Sequence, residues 1–160
     1  MATVDNIVQD INNLIYEHIS NEYAWGNLGG IKVMIMKANG YINAPKMAAE
    51  AHEYEKSKLK NKQDLNITKK KFNDWSRLRS VQRTVDVFSG VTGIPVGGMM
   101  VEVEQHDKLD ISGTYIHPDL AIKFADWLSD YFGYYTSQIV RNHLAKEERE
   151  RHIAENKNWY

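Results

Sequence analysis

Cysteine is absent from this chain of 160 residues, which excludes disulfides, thiolate nucleophiles and cysteine-based zinc sites. Long apolar runs are absent too, since no stretch approaches the roughly 18 residues of a membrane span. The opening Met1-Ala2-Thr3-Val4-Asp5 has neither the basic nor the apolar part of a secretory signal. An intracellular protein with no membrane partner is expected. The six histidines, His18, His52, His106, His117, His143 and His152, form no His-x-His and no i, i+4 pair. That argues against a metal, and no cofactor is expected. There is no Gly-x-x-x-x-Gly-Lys-Ser/Thr loop and no Gly-x-Ser-x-Gly elbow, so no catalytic constellation stands out. Glu102 and Glu104 resemble a carboxylate pair, but alternation with Val101 and Val103 reads more simply as the wet side of a hairpin.

Net charge is small, −1, yet it is unevenly spread. From Lys46 to Arg83 there are 11 Lys and Arg against 5 Asp and Glu, a local +6, whereas residues 1–45 carry −2 and residues 84–160 carry −5. Local excess governs attraction to a polyanion better than the total does. With 42% hydrophobic and 26% charged residues, the chain has an ordinary globular composition and the length of one domain.

Val4, Ile7, Val8, Ile11, Leu14, Ile15 and Ile19 recur at helical spacing, which predicts an amphipathic helix over about 4–20. Trp25 to Gly30 reads as a loop. Ile31–Met36 and Gly40–Ile42 read as strands turned at Asn39-Gly40. Asn43 is placed to cap a helix over about 44–55, with Pro45 tolerated in its first turn. The Lys-rich stretch to Asn66 reads as an insertion or a helix extension. A helix over about 72–88, ending near Gly90, follows. Strands at Met99–Glu104 and Gly113–Ile116 come next, then a helix from Pro118 broken at Gly133. A final helix from about Tyr134 carries Ile139, Val140 and Leu144 as its stripe, and the mixed-charge run after Lys146 reads as solvated. Tyr41, Trp75, Tyr115 and Trp127 fall in core patterns. Tyr131 to Tyr135 could close the core or form a dimer contact, and His117 before Pro118 reads as closing a turn.

In the helix after Lys69-Lys70-Lys71, Trp75, Leu78, Val81, Val85 and Phe88 make one stripe at roughly 100° per residue. Asn73, Ser76, Arg79, Ser80 and Arg83 cluster opposite, with Arg77 at the border. A core-packed helix that turns guanidinium, amide and hydroxyl groups outward has the chemistry to read base edges. Arginine pairs bidentately with guanine, and Gln82 or Asn73 could do so with adenine. Asn73 could equally cap its own helix.

Three strings add to this: Gly40-Tyr41-Ile42-Asn43-Ala44-Pro45-Lys46-Met47, Lys71-Phe72-Asn73-Asp74-Trp75, and Gly113-Thr114-Tyr115-Ile116-His117-Pro118-Asp119-Leu120-Ala121 followed by Trp127. In that order they resemble the KilA-N domain of phages and large DNA viruses, which is related to the fungal APSES DNA-binding domain. The resemblance covers roughly residues 31–144. It implies an α+β fold, a compact winged helix-turn-helix-like domain of KilA-N/APSES type, here with added N- and C-terminal helices. The helix after Asn43 would open the helix-turn-helix, the 72–88 helix would be the recognition element, and Met99–Ile116 the wing. In a virus, the host cytoplasm or nucleus would be the setting. Pro45 replaces the family's usual Thr, the Met47–Phe72 spacing is longer than usual, and the wing is acidic.

The expected organisation is an N-terminal helix and loop (1–30), a DNA-binding domain (31–144) and a charged helical end (145–160). The absence of a long linker fits a complete small protein. The expected function is non-enzymatic binding of DNA, double-stranded by preference. Lys46, Lys69, Lys70 and Lys71 would meet phosphates, and Asn73, Ser76, Arg77, Arg79, Gln82 and Arg83 would stand nearest the bases. The alternative is a protein-interaction or assembly module, a homodimer formed through the N-terminal helix.

Overall fold

Gly29 and Gly30 set the first turn. Both have positive φ, 62° and 88°, as a two-residue hairpin of the right twist requires. They join β2 (Tyr23–Leu28) to β3 (Ile31–Met36), with Leu28 opposite Ile31. The computed structural model describes residues 14–58, 69–105 and 110–157, the last helix by backbone alone at 139–148 and 155–157. Residues 25–28 are therefore strand and not loop. Gly26 suits that strand because a Cβ there would lie 2.6 Å from Ile35 Cδ1. The helix expected over 4–20 is also corrected at its end. Residues Ile15–His18 form β1, paired antiparallel with β2, while Val4, Ile7, Val8 and Ile11 lie outside the described residues.

β4 (Ile42–Asn43) pairs with β3 on one side and with β6 (Gly113–Ile116) on the other. β5 (Met100–Val103) pairs outside β6. The result is one antiparallel sheet in the order β1-β2-β3-β4-β6-β5. The hairpin expected to be a wing is thus the far edge of this sheet; of its loop, His106, Asp107 and Lys108 lie outside the described residues.

One face of the sheet carries the helices α1 (Ala44–Lys58), α2 (Phe72–Ser76), α3 (Arg79–Thr92), α4 (Pro118–Leu128) and α5 (Asp130–Lys157). Val33, Ile35, Ile42, Met47, Trp75, Val81, Val85, Leu120, Phe124 and Phe132 form that core. Tyr23, Met34, Tyr41, Ile111 and Tyr115 cluster apart from it, with Trp25, Val101 and Val103 packed against them. Burial raises the Tyr115 hydroxyl to about 12, and it donates to the Ile111 carbonyl at 2.6 Å.

Asn43 caps α1 as expected, its Oδ1 accepting from the Lys46 N–H at 3.1 Å. Its Nδ2 also donates to the Ser112 carbonyl at 3.0 Å. Gly113, at φ 145°, makes room for it, since a Cβ there would sit 2.6 Å from that nitrogen. α1 runs three residues beyond the expected end, to Lys58; the stretch from Leu59 to Asn66 lies outside the described residues.

Two helix boundaries differ from expectation for tertiary reasons. The break after α4 falls at Ser129, not Gly133. Ser129 is extended, and its Oγ accepts from the Phe132 N–H at 3.1 Å, capping α5. Gly133 lies inside α5, where a Cβ would come within 2.8 Å of Asp126 Cα. The helix expected to end near Gly90 continues to Thr92 and stops at Gly93, left-handed at φ 77°. The side chains of Ile139, Val140 and Leu144 lie outside the described residues.

His117 closes the turn into α4. Its Nδ1 accepts from the Asp119 N–H at 3.1 Å, so the neutral ring carries its proton on Nε2, which is buried without a partner among the described residues. The Tyr41 ring stands edge-on at 5.5 Å. Burial lowers the pKa of His117, and the nearby Asp119 carboxylate opposes this. The unfolded chain, with histidine near 6.5, therefore holds this proton more tightly than the fold does. Stability from His117 is complete above about pH 6.5 and is lost as pH falls through the folded value. The urea midpoint is expected to drop from pH 6.5 to 5, and His117→Gln to flatten that descent.

Candidate functional site

The basic segment is two helices, not one. In an unbroken helix Val81 would point about 120° away from Trp75, at roughly 100° per residue. The chain resolves this at Arg77-Leu78: Leu78 is extended (φ −63°, ψ 136°), and α3 starts afresh at Arg79. Trp75 and Val81 then both reach the core. Leu78, expected in the apolar stripe, is left 40% exposed. Trp75 and Phe72 anchor α2 on Phe124, with ring centroids at 4.8 and 5.5 Å.

On α3, Arg79, Arg83 and Gly90 fall within about 40° of one line, opposite Val81 and Val85. Ser80 and Gln82 flank that line, and all of these outward residues are exposed, as is Arg77 just before α3. Among the described residues no carboxylate pairs with Arg77, Arg79 or Arg83. α3 has no side-chain cap and no acid in its first turn. Guanidinium groups beside a helix's positive end raise its energy, and an anion placed there would lower it. Six cations stand against two carboxylates between residues 69 and 92.

Lys69, Lys70, Lys71 and Asn73 line a cleft of about 270 Å³ whose apolar wall is Pro45, Ala48 and Phe72. Lys71, in extended conformation, is the N-cap of α2. Asn73 is therefore inside the helix with its amide exposed, and does not cap it. Ser76 is half-buried, and its hydroxyl donates to the Asn73 carbonyl at 3.1 Å. Lys70 donates to the Trp127 carbonyl at 2.8 Å, at the end of α4. Lys46 pairs with Asp110 at 3.2 Å, outside the cleft lining. Glu102, Glu104 and Asp110 are exposed.

Sequence reasoning passed over the apolar end of this surface. Val87 and Val91 are 59% and 73% exposed, and Val96 after the helix is 51% exposed. Their i, i+4 spacing on the outer side of α3 was the available signal. No group of three or more His, Asp or Glu among the described residues could hold a metal. Nor is any helix among them long and apolar enough to cross a membrane.

The KilA-N domain model matches residues 26–146. The chain is 37% identical over 147 residues to the KilA-N domain-containing protein L37 of Acanthamoeba polyphaga mimivirus, covering 91% of this chain and 27% of that protein. It is 30% identical over 143 residues to protein R904 of the same virus, covering 89% and 37%. Protein 313L of Invertebrate iridescent virus 6 is 25% identical over 146 residues, covering 88% and 36%. The chain thus spans about a quarter to two fifths of the length of these relatives. No solved structure gives a significant match.

Proposed function

Because the chain belongs to the KilA-N domain family, we propose that it is a non-enzymatic DNA-binding module that reads duplex DNA with α3. The observation that carries this is the row of exposed arginines, Arg77, Arg79 and Arg83, without carboxylate partners among the described residues. A chain of net charge −1 has ample acid to neutralise them, yet no carboxylate among the described residues does so. Lys69 and Lys71 then take backbone phosphates beside the cleft and Lys70 adds charge from its engaged position, while Lys46, its charge offset by Asp110, lies on the side kept from phosphate. Arg79, Gln82, Arg83 and the amide of Asn73 face base edges. α1 packs against α2, which leads directly into the reading helix, in a helix-turn-helix-like arrangement. The β5–β6 edge, with Glu102, Glu104 and Asp110 outward, is kept away from phosphate by its charge.

Fluorescence anisotropy of a labelled duplex pool across a salt series tests this. A log–log slope of about −4 to −6 is expected, the response of roughly five or six neutralised phosphates. Absence of binding even at low salt removes the proposal. A second reading, assembly with another copy, draws on α5. Tyr131 and Tyr134 on that helix are 58% and 53% exposed, and sedimentation of the full chain would distinguish monomer from dimer.

A further inference from the structure

The outward side of α3 changes character along its length. Arg79, Ser80, Gln82 and Arg83 occupy its first half, and after Asp86 the exposed residues are Val87, Gly90 and Val91. Val87 stands one turn beyond Arg83 and about 40° from it around the helix. Gly90 lies on the arginine line itself, and a Cβ there would meet nothing within 4 Å. A helical glycine is less favourable than alanine, and no neighbour among the described residues requires this one. The helix surface beside Val87 is therefore bare, so a partner can come against it closely.

Size decides between occupants. A standard protein interface needs about 800 Å² per partner. Val87, Val91 and Val96 fall well short of that, since a valine is smaller than an aromatic residue, which buries about 150–250 Å², and each of the three is already partly covered. The patch is continuous with the arginine row, whose complement is a polyanion. An apolar group on a polyanion, small enough for one valine and presented in the major groove, is the 5-methyl group of thymine. We infer that Val87 is a specificity-determining residue that packs on a thymine methyl next to the bases facing Arg79 and Arg83, with Gly90 leaving room for the approach. This rests on the α3 reading proposed above. It adds a preference for thymine on the side of the site towards the C-terminal end of α3.

The test uses the full chain and a duplex it selects from a random pool. Each thymine of the selected site is replaced in turn by deoxyuridine, which removes the methyl alone, and affinity is measured by anisotropy. At one position the wild-type chain is expected to bind about fourfold more weakly, the ratio that burying one methyl group is worth. Val87→Ala, exposed and expected to fold unchanged, should bind the thymine and uracil duplexes equally at that position. A selected site without thymine, equal binding of both duplexes by the wild type, or discrimination that survives in Val87→Ala would each overturn the inference. In all three of those cases the DNA-binding reading still stands. Failure to select or bind any duplex would overturn that reading and this inference together.

Discussion

Replacing Arg79 and Arg83 together by alanine is expected to weaken duplex binding by about a hundredfold and leave the melting temperature nearly unchanged. Each bidentate arginine–guanine contact is worth about 1–3 kcal/mol, and a factor of ten corresponds to about 1.4 kcal/mol. Even at the low end of that range, two contacts approach a hundredfold when phosphate attraction is lost with them. The fold should not notice, because both side chains are exposed and have no carboxylate partner among the described residues, and such surface changes stay within about 0.5 kcal/mol. Calorimetry on the variant separates the effects. A folded double variant that still binds with full affinity would show that this side of α3 does not face DNA.

Asn43→Ala should produce the largest loss of stability. The side chain is fully buried and serves two elements at once, capping α1 and holding the Ser112 carbonyl. Losing the cap costs about 1 kcal/mol, and leaving the Ser112 carbonyl without its donor costs a further 1–3 kcal/mol or so. The sum, about 2–4 kcal/mol, is a large share of the 5–15 kcal/mol or so that holds a domain together. The melting temperature should fall by about 5–15 °C. Asn43→Asp keeps the capping oxygen and removes the donor to Ser112, so it should fall between the two. An alanine variant as stable as the wild type would mean that the link to Ser112 contributes nothing.

Asn43 was legible because a cap is local chemistry: a side-chain oxygen, a backbone N–H three residues on, and a proline that tolerates the first turn. The same holds for His117 before Pro118, for β3, and for the strands β5 and β6. The misread elements were those set by pairing or packing against another element, not by their own local sequence. Leu14, Ile15 and Ile19 continue a helical period by coincidence, whereas β1 is set by pairing with β2. Gly26 and Gly133 look like breakers, yet each is a close-packing position, against Ile35 and Asp126 respectively. The extended Leu78 follows from the demand that Trp75 and Val81 both reach the core, which no local period encodes. Of the surface proposed to meet DNA, the residue types and their outward direction on α3 could be read in advance. Its division into two helices and the engagement of Lys46 and Lys70 could not; the exposed valines had a signal in their i, i+4 spacing, which was passed over.

The pairing of β4 with β6 joins Ile42 to Ile116 and Asn43 to Tyr115, and α1, α2 and α3 all lie in the loop it closes. Contacts so distant in sequence form late, because the loop entropy is lost before the strands reward it. During synthesis, a nascent chain not yet extended past β6 has arginines but no floor beneath them. Its α1 lacks the Ser112 anchor, and Trp75 lacks Phe124. Charge is present from residue 83 onward, but a shaped reading surface arrives only once α4 has emerged, some forty residues later. On the proposed function, the charge that would attract nucleic acid thus precedes, during synthesis, the surface that would recognise it.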